Sequence, residues 1–229
     1  KYASNSFLAM KLSFINEIAD FCELVGADVD EVARGMGLDK RIGARYMKAS
    51  IGFGGSCFGK DVRALVHRGE EEGYEFKMVK ALIAVNNVRY LTTINKLKKH
   101  LGNLKGKTIA VLGLAYKAGT DDTRDSQSLR IVFELLDNGA QVRAYDPRAI
   151  EHFKKTFPRA SELTYSSTSL EAVEGADALL ILTEWNEFKT IDLETIKTKM
   201  SGALIVDGRN IFDRKTAEAA GFTYEGIGR

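Results

Sequence analysis

Thr108-Ile-Ala-Val-Leu-Gly-Leu-Ala-Tyr-Lys117 decides the fold: its first five residues are a short apolar run that stops at Gly113. An apolar run of that length, bounded by a glycine, reads as a strand buried on both faces. Downstream, Leu129, Val132, Phe133 and Leu136 recur at helical spacing, and Gly139 ends that helix. Val142–Tyr145 then gives a second strand ahead of Asp146-Pro147, and Ala178–Leu182 and Ala203–Val206 read as two more. Short strands alternating with amphipathic helices specify a parallel sheet with crossover helices.

Toward the N-terminus the period is helical throughout. Leu8, Leu12, Ile15, Ala19 and Cys22 line one helix face at spacings of four and three. Asp28 with Glu31 forms a capping-box-like start for a short helix whose inner face is Val29, Val32, Ala33 and Met36. Residues 40–60 break the pattern and are rich in glycine and basic residues. A helix is expected from Asp61 to Glu72, then a long one from Phe76 to His100 with Phe76, Val79, Ile83, Tyr90 and Leu97 on one side. Such a helix, apolar on more than one face, predicts a homodimer contact. The Gly102–Gly106 stretch is the expected boundary. The fold class is therefore α/β: a helical central dimerisation domain (1–104) followed by a Rossmann-like parallel-sheet nucleotide-binding domain (105–229).

Composition narrows the function. The chain has 229 residues, 45% of them hydrophobic and 28% charged, which places it among ordinary globular proteins. Lys and Arg number 33 against 31 Asp and Glu, a net charge of +2 that carries no nucleic-acid footprint. The basic run Lys96, Lys98, Lys99, Lys105 and Lys107 reads as a solvated helix end, with a local anion site as the alternative. No signal peptide or bilayer-length apolar run is found, so no membrane partner is expected. Two cysteines make no disulfide framework, which points to the cytoplasm, and no metal site is expected. The chain opens on Lys1 with a helical pattern already running, as a fragment would.

The two cysteines differ in setting. Cys22 lies on the apolar stripe and reads as a small buried hydrophobe. Cys57 lies in Ile51-Gly-Phe-Gly-Gly-Ser-Cys-Phe-Gly-Lys-Asp61, where glycines let the backbone approach a ligand closely. Lys60 and the start of the next helix supply positive potential that favours a thiolate, while Asp61 can begin that helix and face the thiol. Lys1 and Asn5 share a helix face and can offer a cation and an amide to an oxyanion. Arg41, Arg45, Tyr46 and Lys48 precede the glycine-rich loop and suit phosphate recognition, a solvated basic loop being the alternative. The loop after Thr108–Leu112 lacks the G-x-G-x-x-G spacing of a dinucleotide site and offers Lys117 and Arg124 instead. Arg209, beyond another strand end, can reach the same crevice or be a surface turn residue.

Together these segments resemble the UDP-glucose/GDP-mannose dehydrogenase family. The resemblance rests on Lys1-Tyr-Ala-Ser-Asn5 leading into Phe14-Ile-Asn-Glu17, on Gly52–Asp61, on Gly113-Leu-Ala-Tyr-Lys117, and on Asp121-Asp-Thr-Arg-Asp-Ser126. It covers the family's central and C-terminal domains, and implies that the N-terminal NAD-binding domain is missing and the chain inactive alone. It further implies oxidation of a sugar C6 alcohol to a carboxylate by two hydride transfers to NAD, through a thiohemiacetal and a thioester on Cys57. Lys1 and Asn5 would hold the oxyanion, and Asp61 would position or activate water. The UDP-sugar substrate would be met by Arg41 (from across the dimer), Tyr46, Lys48, Ser50, Gly52, Phe53, Gly54, Tyr116, Lys117 and Arg209. Lys60 and Arg124 would reach NAD. Gly59 stands where many relatives carry Pro, and Ser56 before the cysteine favours UDP-glucose over the UDP-N-acetylmannosamine branch, with GDP-mannose as the alternative. Two other readings compete: a non-catalytic nucleotide-sugar-binding module, and a cysteine hydrolase using His67, His100 or His152.

Overall fold

The structure, a computed structural model, describes residues 1–157 and 161–229. It divides into two compact units, Lys1–Tyr90 with Ile227–Arg229, and Leu91–Gly226.

The first unit holds α1 (Tyr2–Val25), α2 (Val29–Gly37), α3 (Phe58–Glu71) and α4 (Lys77–Val88). Ile15, Ala19 and Cys22 of α1 are buried with Val29, Met47, Ala49 and Ile227, and Val32, Ala33 and Met36 of α2 pack against them. The predicted stripes are thus the ones that fold inward. Asp28 caps α2 by accepting from the Asp30 amide, but Glu31 turns to Arg34 at 2.5 Å instead of closing a capping box. α3 begins at Phe58 with Cys57 as its cap residue, three residues before the expected start, which places Asp61 inside the first turn.

The long helix expected over 76–100 is two helices. α4 stops at Val88, and α5 (Leu91–Leu101) belongs to the second unit. The break sits at Arg89, whose buried guanidinium reaches the Asp20 carboxylate and donates from Nε to the Ser50 carbonyl at 3.0 Å.

The second unit carries β1 (Thr108–Leu112), α6 (Gln127–Asp137), β2 (Gln141–Tyr145), α7 (Ile150–Lys154), β3 (Leu163–Tyr165), α8 (Ser169–Val173), β4 (Ala178–Ile181), α9 (Asn186–Lys189), α10 (Leu193–Lys199), β5 (Leu204–Asp207), α11 (Arg214–Ala219) and β6 (Thr223–Glu225). The six strands are parallel in the order β3-β2-β1-β4-β5-β6, the doubly wound order of dinucleotide-binding sheets. β3 and β6 escaped the sequence reading because each is only three residues long. One core joins Ala110, Leu112, Leu179, Ile181 and Ile205 of the sheet to Phe188, Ile196 and Phe212. Register aligns Leu112 with Tyr145 and with Ile181, so β1, β2 and β4 end side by side where the strand order reverses. In open parallel sheets that edge is where ligands sit.

The basic run reads differently in three dimensions. Lys96 is 7% exposed and meets Glu225 at the end of β6 at 3.3 Å, while Lys99 and His100 reach the same carboxylate at 2.8 and 2.6 Å. Lys107 pairs with Asp177 at 3.5 Å. For Lys96, Lys99 and Lys107 the anions are the chain's own, while Lys98, Lys99 and Lys105 are exposed, as a solvated helix end would be.

Candidate functional site

Cys57 is solvent-exposed and is the cap residue at the start of α3. Ser56 Oγ lies 4.0 Å from its Sγ. One turn on, the Asp61 amide donates to the Cys57 carbonyl at 2.9 Å and the Asp61 carboxylate is fully buried. Asn5 Nδ2 donates to Asp61 Oδ2 at 2.7 Å, and Lys1 Nζ stands 3.4 Å from the same oxygen. Burial pushes the Asp61 pKa up, but the hydrogen bonds from Asn5 and Lys1 and the charges of Lys1 and Lys60 outweigh it, so the net shift is down. Asp61 is therefore ionised at neutral pH. Its other oxygen, Oδ1, is buried with no hydrogen-bond partner among the described residues. Lys1 and Asn5 do share a face, as their spacing requires, and both are engaged with Asp61.

Cys22 is 3% exposed, and burial, then the nearby charge of Asp28, pushes its thiol pKa up. The two thiols thus differ in accessibility and in setting, as the sequence predicted.

The loop ahead of Cys57 is pinned from beneath by residues the sequence reading did not single out. Asn16 on α1 accepts the Ser50 amide at 2.7 Å, and Asn86 on α4 accepts the Phe53 amide at 2.8 Å and donates to the Phe53 carbonyl at 3.2 Å. Arg89 holds the Ser50 carbonyl. The available signal was an Asn on an otherwise apolar stripe: a buried amide must be hydrogen-bonded, and irregular backbone is its usual partner. Gly52 takes φ +106°, a left-handed conformation that L side chains rarely adopt. Ser50 and Gly52 are buried, Phe53 and Gly54 half-buried, and Lys48 and Lys60 exposed. Tyr46 carries φ +63° and sets its ring 6.1 Å from that of Phe58. Arg41 is exposed and forks onto Asp39, with Nη2 at 2.6 Å.

In the second unit, Tyr116 and Lys117 follow β1, with the Lys117 ammonium 5.3 Å from the Tyr116 ring centroid. Arg209 is half-buried and donates to the Leu182 carbonyl at 2.7 Å and the Tyr116 carbonyl at 3.2 Å. It is a strap across the strand ends, not a surface turn residue. Arg124 is exposed and held by Asp122 at 2.8 Å. The three histidines are engaged elsewhere: His67 lies 3.5 Å from Glu71, His100 meets Glu225, and His152 approaches the Asp121 carbonyl at 3.0 Å. Among the described residues no cluster suits a metal ion, and no helix is long and apolar enough to cross a membrane.

Two family models match the chain. Residues 1–88 match the central domain of the UDP-glucose/GDP-mannose dehydrogenase family, and residues 110–214 match its UDP binding domain. Over all 229 residues the chain is 48% identical to a UDP-glucose 6-dehydrogenase of Bacillus subtilis, of which it covers 52%. It is 44% identical to a UDP-glucose 6-dehydrogenase of Pseudomonas aeruginosa, covering 51%. It thus spans about half the length of the curated relatives it matches. Among solved structures it resembles a UDP-glucose dehydrogenase from the archaeon Pyrobaculum islandicum, with 37% identity and a TM-score of 0.88 over the whole chain and 50% of that protein.

Proposed function

The chain belongs to the UDP-glucose/GDP-mannose dehydrogenase family, and from that premise we propose that it is the thiol-bearing and UDP-binding half of an NAD-dependent UDP-glucose 6-dehydrogenase. The observation that carries this reading is the exposed Cys57 at a helix start, one turn before a buried, ionised Asp61 held by Lys1 and Asn5. In the proposed reaction the Cys57 thiolate adds to the C6 aldehyde and forms a thiohemiacetal. Loss of hydride leaves a thioester, and water cleaves it to the uronate and the free thiol. Bound NAD supplies the acceptor for both hydrides. Lys60 and Arg124, both exposed cations, suit its phosphates.

The Lys1 ammonium, 67% exposed beside Asp61, would offer its charge to an oxygen developing at C6. Asp61 Oδ1 is an acceptor without a partner, the atom suited to orient the hydrolytic water. On the substrate side, Tyr46, Lys48 and the Ser50–Gly54 loop would meet the sugar and phosphate, and Tyr116, Lys117 and Arg209 the nucleotide. The non-catalytic binding module gives no account of a thiol in this setting. The central domain is taken as 1–104 and the nucleotide domain as 105–229. NAD, UDP-glucose and a cytoplasmic setting are parts of the same proposal.

Limiting iodoacetamide near neutral pH tests the thiol directly. Peptide mass spectrometry should find Cys57 alkylated well before Cys22, because reactivity follows thiolate availability and access. Labelling of Cys22 first would remove the proposed nucleophile.

For the proposed homodimer, α1 adds support to the segment 76–100, whose Met78 and Val88 are exposed. Ile83 packs against the Ala9–Val62–Leu82 core, whereas Phe7, Phe14 and Phe21 stand 58, 46 and 60% exposed at successive sevens along one face of α1. A groove of about 540 Å³ lined by Phe7, Met10, Tyr74 and Met78 adjoins that row. Rows of exposed aromatics mark protein contacts. Phe14→Glu should convert the dimer to a monomer in sedimentation at micromolar concentration. A dimer unaffected by Phe14→Glu and by Phe21→Glu would place the contact elsewhere.

A further inference from the structure

Asp146 directly follows β2, where sheets of this strand order carry the acid that binds a ribose hydroxyl of a dinucleotide. Here the side chain is turned inward and is 2% exposed. Its Oδ2 accepts the backbone amides of Leu114 at 2.8 Å and Ala115 at 3.1 Å and the indole N–H of Trp185 at 3.1 Å. Its Oδ1 accepts the amides of Arg148 and Ala149, both at 2.9 Å. Leu114 and Ala115 belong to the turn after β1, whose amides such sheets offer to a pyrophosphate. A carboxylate of the chain itself fills that anion seat.

The surrounding loop is saturated. The Leu114 carbonyl accepts from the hydroxyls of Ser126 at 3.0 Å and Ser128 at 2.5 Å, and the Ala115 carbonyl from Thr183 at 2.8 Å. The Tyr116 amide donates to the Asp122 carbonyl at 3.1 Å, and its carbonyl accepts from Arg209 at 3.2 Å. Every backbone donor and acceptor from Leu114 to Tyr116 is thereby engaged. Gly113 completes the packing: a Cβ there would lie 2.5 Å from the Thr183 side chain. A loop fixed at each amide presents the side chains that follow it in one arrangement, which reduces the ordering cost of binding.

We propose that Asp146 is a built-in anion that closes this sheet's dinucleotide seat and, by fixing the Leu114–Ala115 backbone, positions the Tyr116 and Lys117 that follow it for a nucleoside diphosphate. The proposal rests on the nucleotide-binding reading of those two side chains. Asp146 touches no ligand in this scheme and is a positioning residue.

Calorimetry with UDP and thermal melting, each with and without formate against matched chloride, test it on the 229-residue chain and two variants. Asp146→Ala empties the seat, so UDP should bind at least about tenfold more weakly, a loss of about 1.4 kcal/mol. Formate should restore most of that affinity and raise the melting temperature of this variant, while leaving the parent unchanged. Asp146→Asn keeps the shape but sets an NH₂ among N–H donors, so it should lose affinity without formate rescue. UDP affinity within about twofold of the parent in either variant, or an Asp146→Ala defect that formate does not touch, overturns the proposal. If Asp146→Ala folds only with formate, the anion seat is supported; if it folds in neither, Asp146→Asn decides. A parent that binds no UDP sinks the nucleotide reading, and formate stabilisation of Asp146→Ala alone still reports on the seat.

Discussion

Cys57→Ala, made in a full-length protein that carries this chain, should lower steady-state uronate formation from UDP-glucose by about a thousandfold or more. Removal of a covalent nucleophile from a working site ranks among the largest single-residue losses in enzymes, because the remaining groups are arranged around an intermediate that no longer forms. UDP affinity should stay within about twofold, since the thiol side chain is not one of the groups proposed to meet the nucleotide. Cys57→Ser should fall close to Cys57→Ala, as a hydroxyl supplies almost no anion near neutral pH. Cys22→Ser should change stability alone, by placing a hydroxyl in the apolar cluster of Ile15, Ala19 and Val29. NADH formation followed at 340 nm distinguishes these cases. A Cys57→Ala enzyme that reaches the uronate at the parent rate would leave the chain as a nucleotide-binding scaffold without thiol chemistry.

The second large effect is on stability, at Glu225. Burial pushes its carboxyl pKa up, but hydrogen bonds from Lys99, His100 and Lys96 and the Lys96 charge outweigh it and hold the pKa at about 2. A folded-state value below the ordinary 4.5 means stability that is fully present above about pH 4.5 and lost as pH falls toward 2. A shift of this size corresponds to about 3 kcal/mol at neutral pH. Glu225→Gln should therefore cost about 3 kcal/mol, since the 8%-exposed Lys96 ammonium loses its carboxylate, and lower the melting temperature by roughly 6–12 °C. The deficit should shrink steadily below about pH 4.5, where the parent's carboxyl begins to take up its proton. A Glu225→Gln chain with the parent's melting temperature at pH 7, or a deficit that does not change with acid, would reduce the cluster to a surface contact.

Hydrophobic period determined a good deal of this protein by itself. Runs such as Thr108–Leu112 and Ala178–Ile181 can bury four successive side chains only as inner strands of a sheet covered on both faces, and that requirement specified the parallel architecture. The same logic separated the thiols: Cys22 lies on a stripe that must turn inward, while Cys57 lies among glycines ahead of a helix start. The four-residue spacing of Lys1 and Asn5 placed them on one face, as found. These readings succeed because they depend on residues within one or two turns of each other.

Tertiary structure alone decided which groups the charged and polar residues would meet. Period carries the helix from Phe76 through His100 without interruption, yet Arg89 is drawn inward to Asp20 and Ser50, and the helix ends there. Lys96 has the composition of a solvated helix end, but its carboxylate lies 129 residues away at Glu225. Asp146 reads as a turn acid before Pro147, and folding places it under two amides of a loop more than thirty residues earlier. A buried polar or charged group must find a partner of matching chemistry wherever closure of the chain brings one. Sequence spacing carries no record of that partner, because the distances that matter are set only when the helices and the sheet have packed.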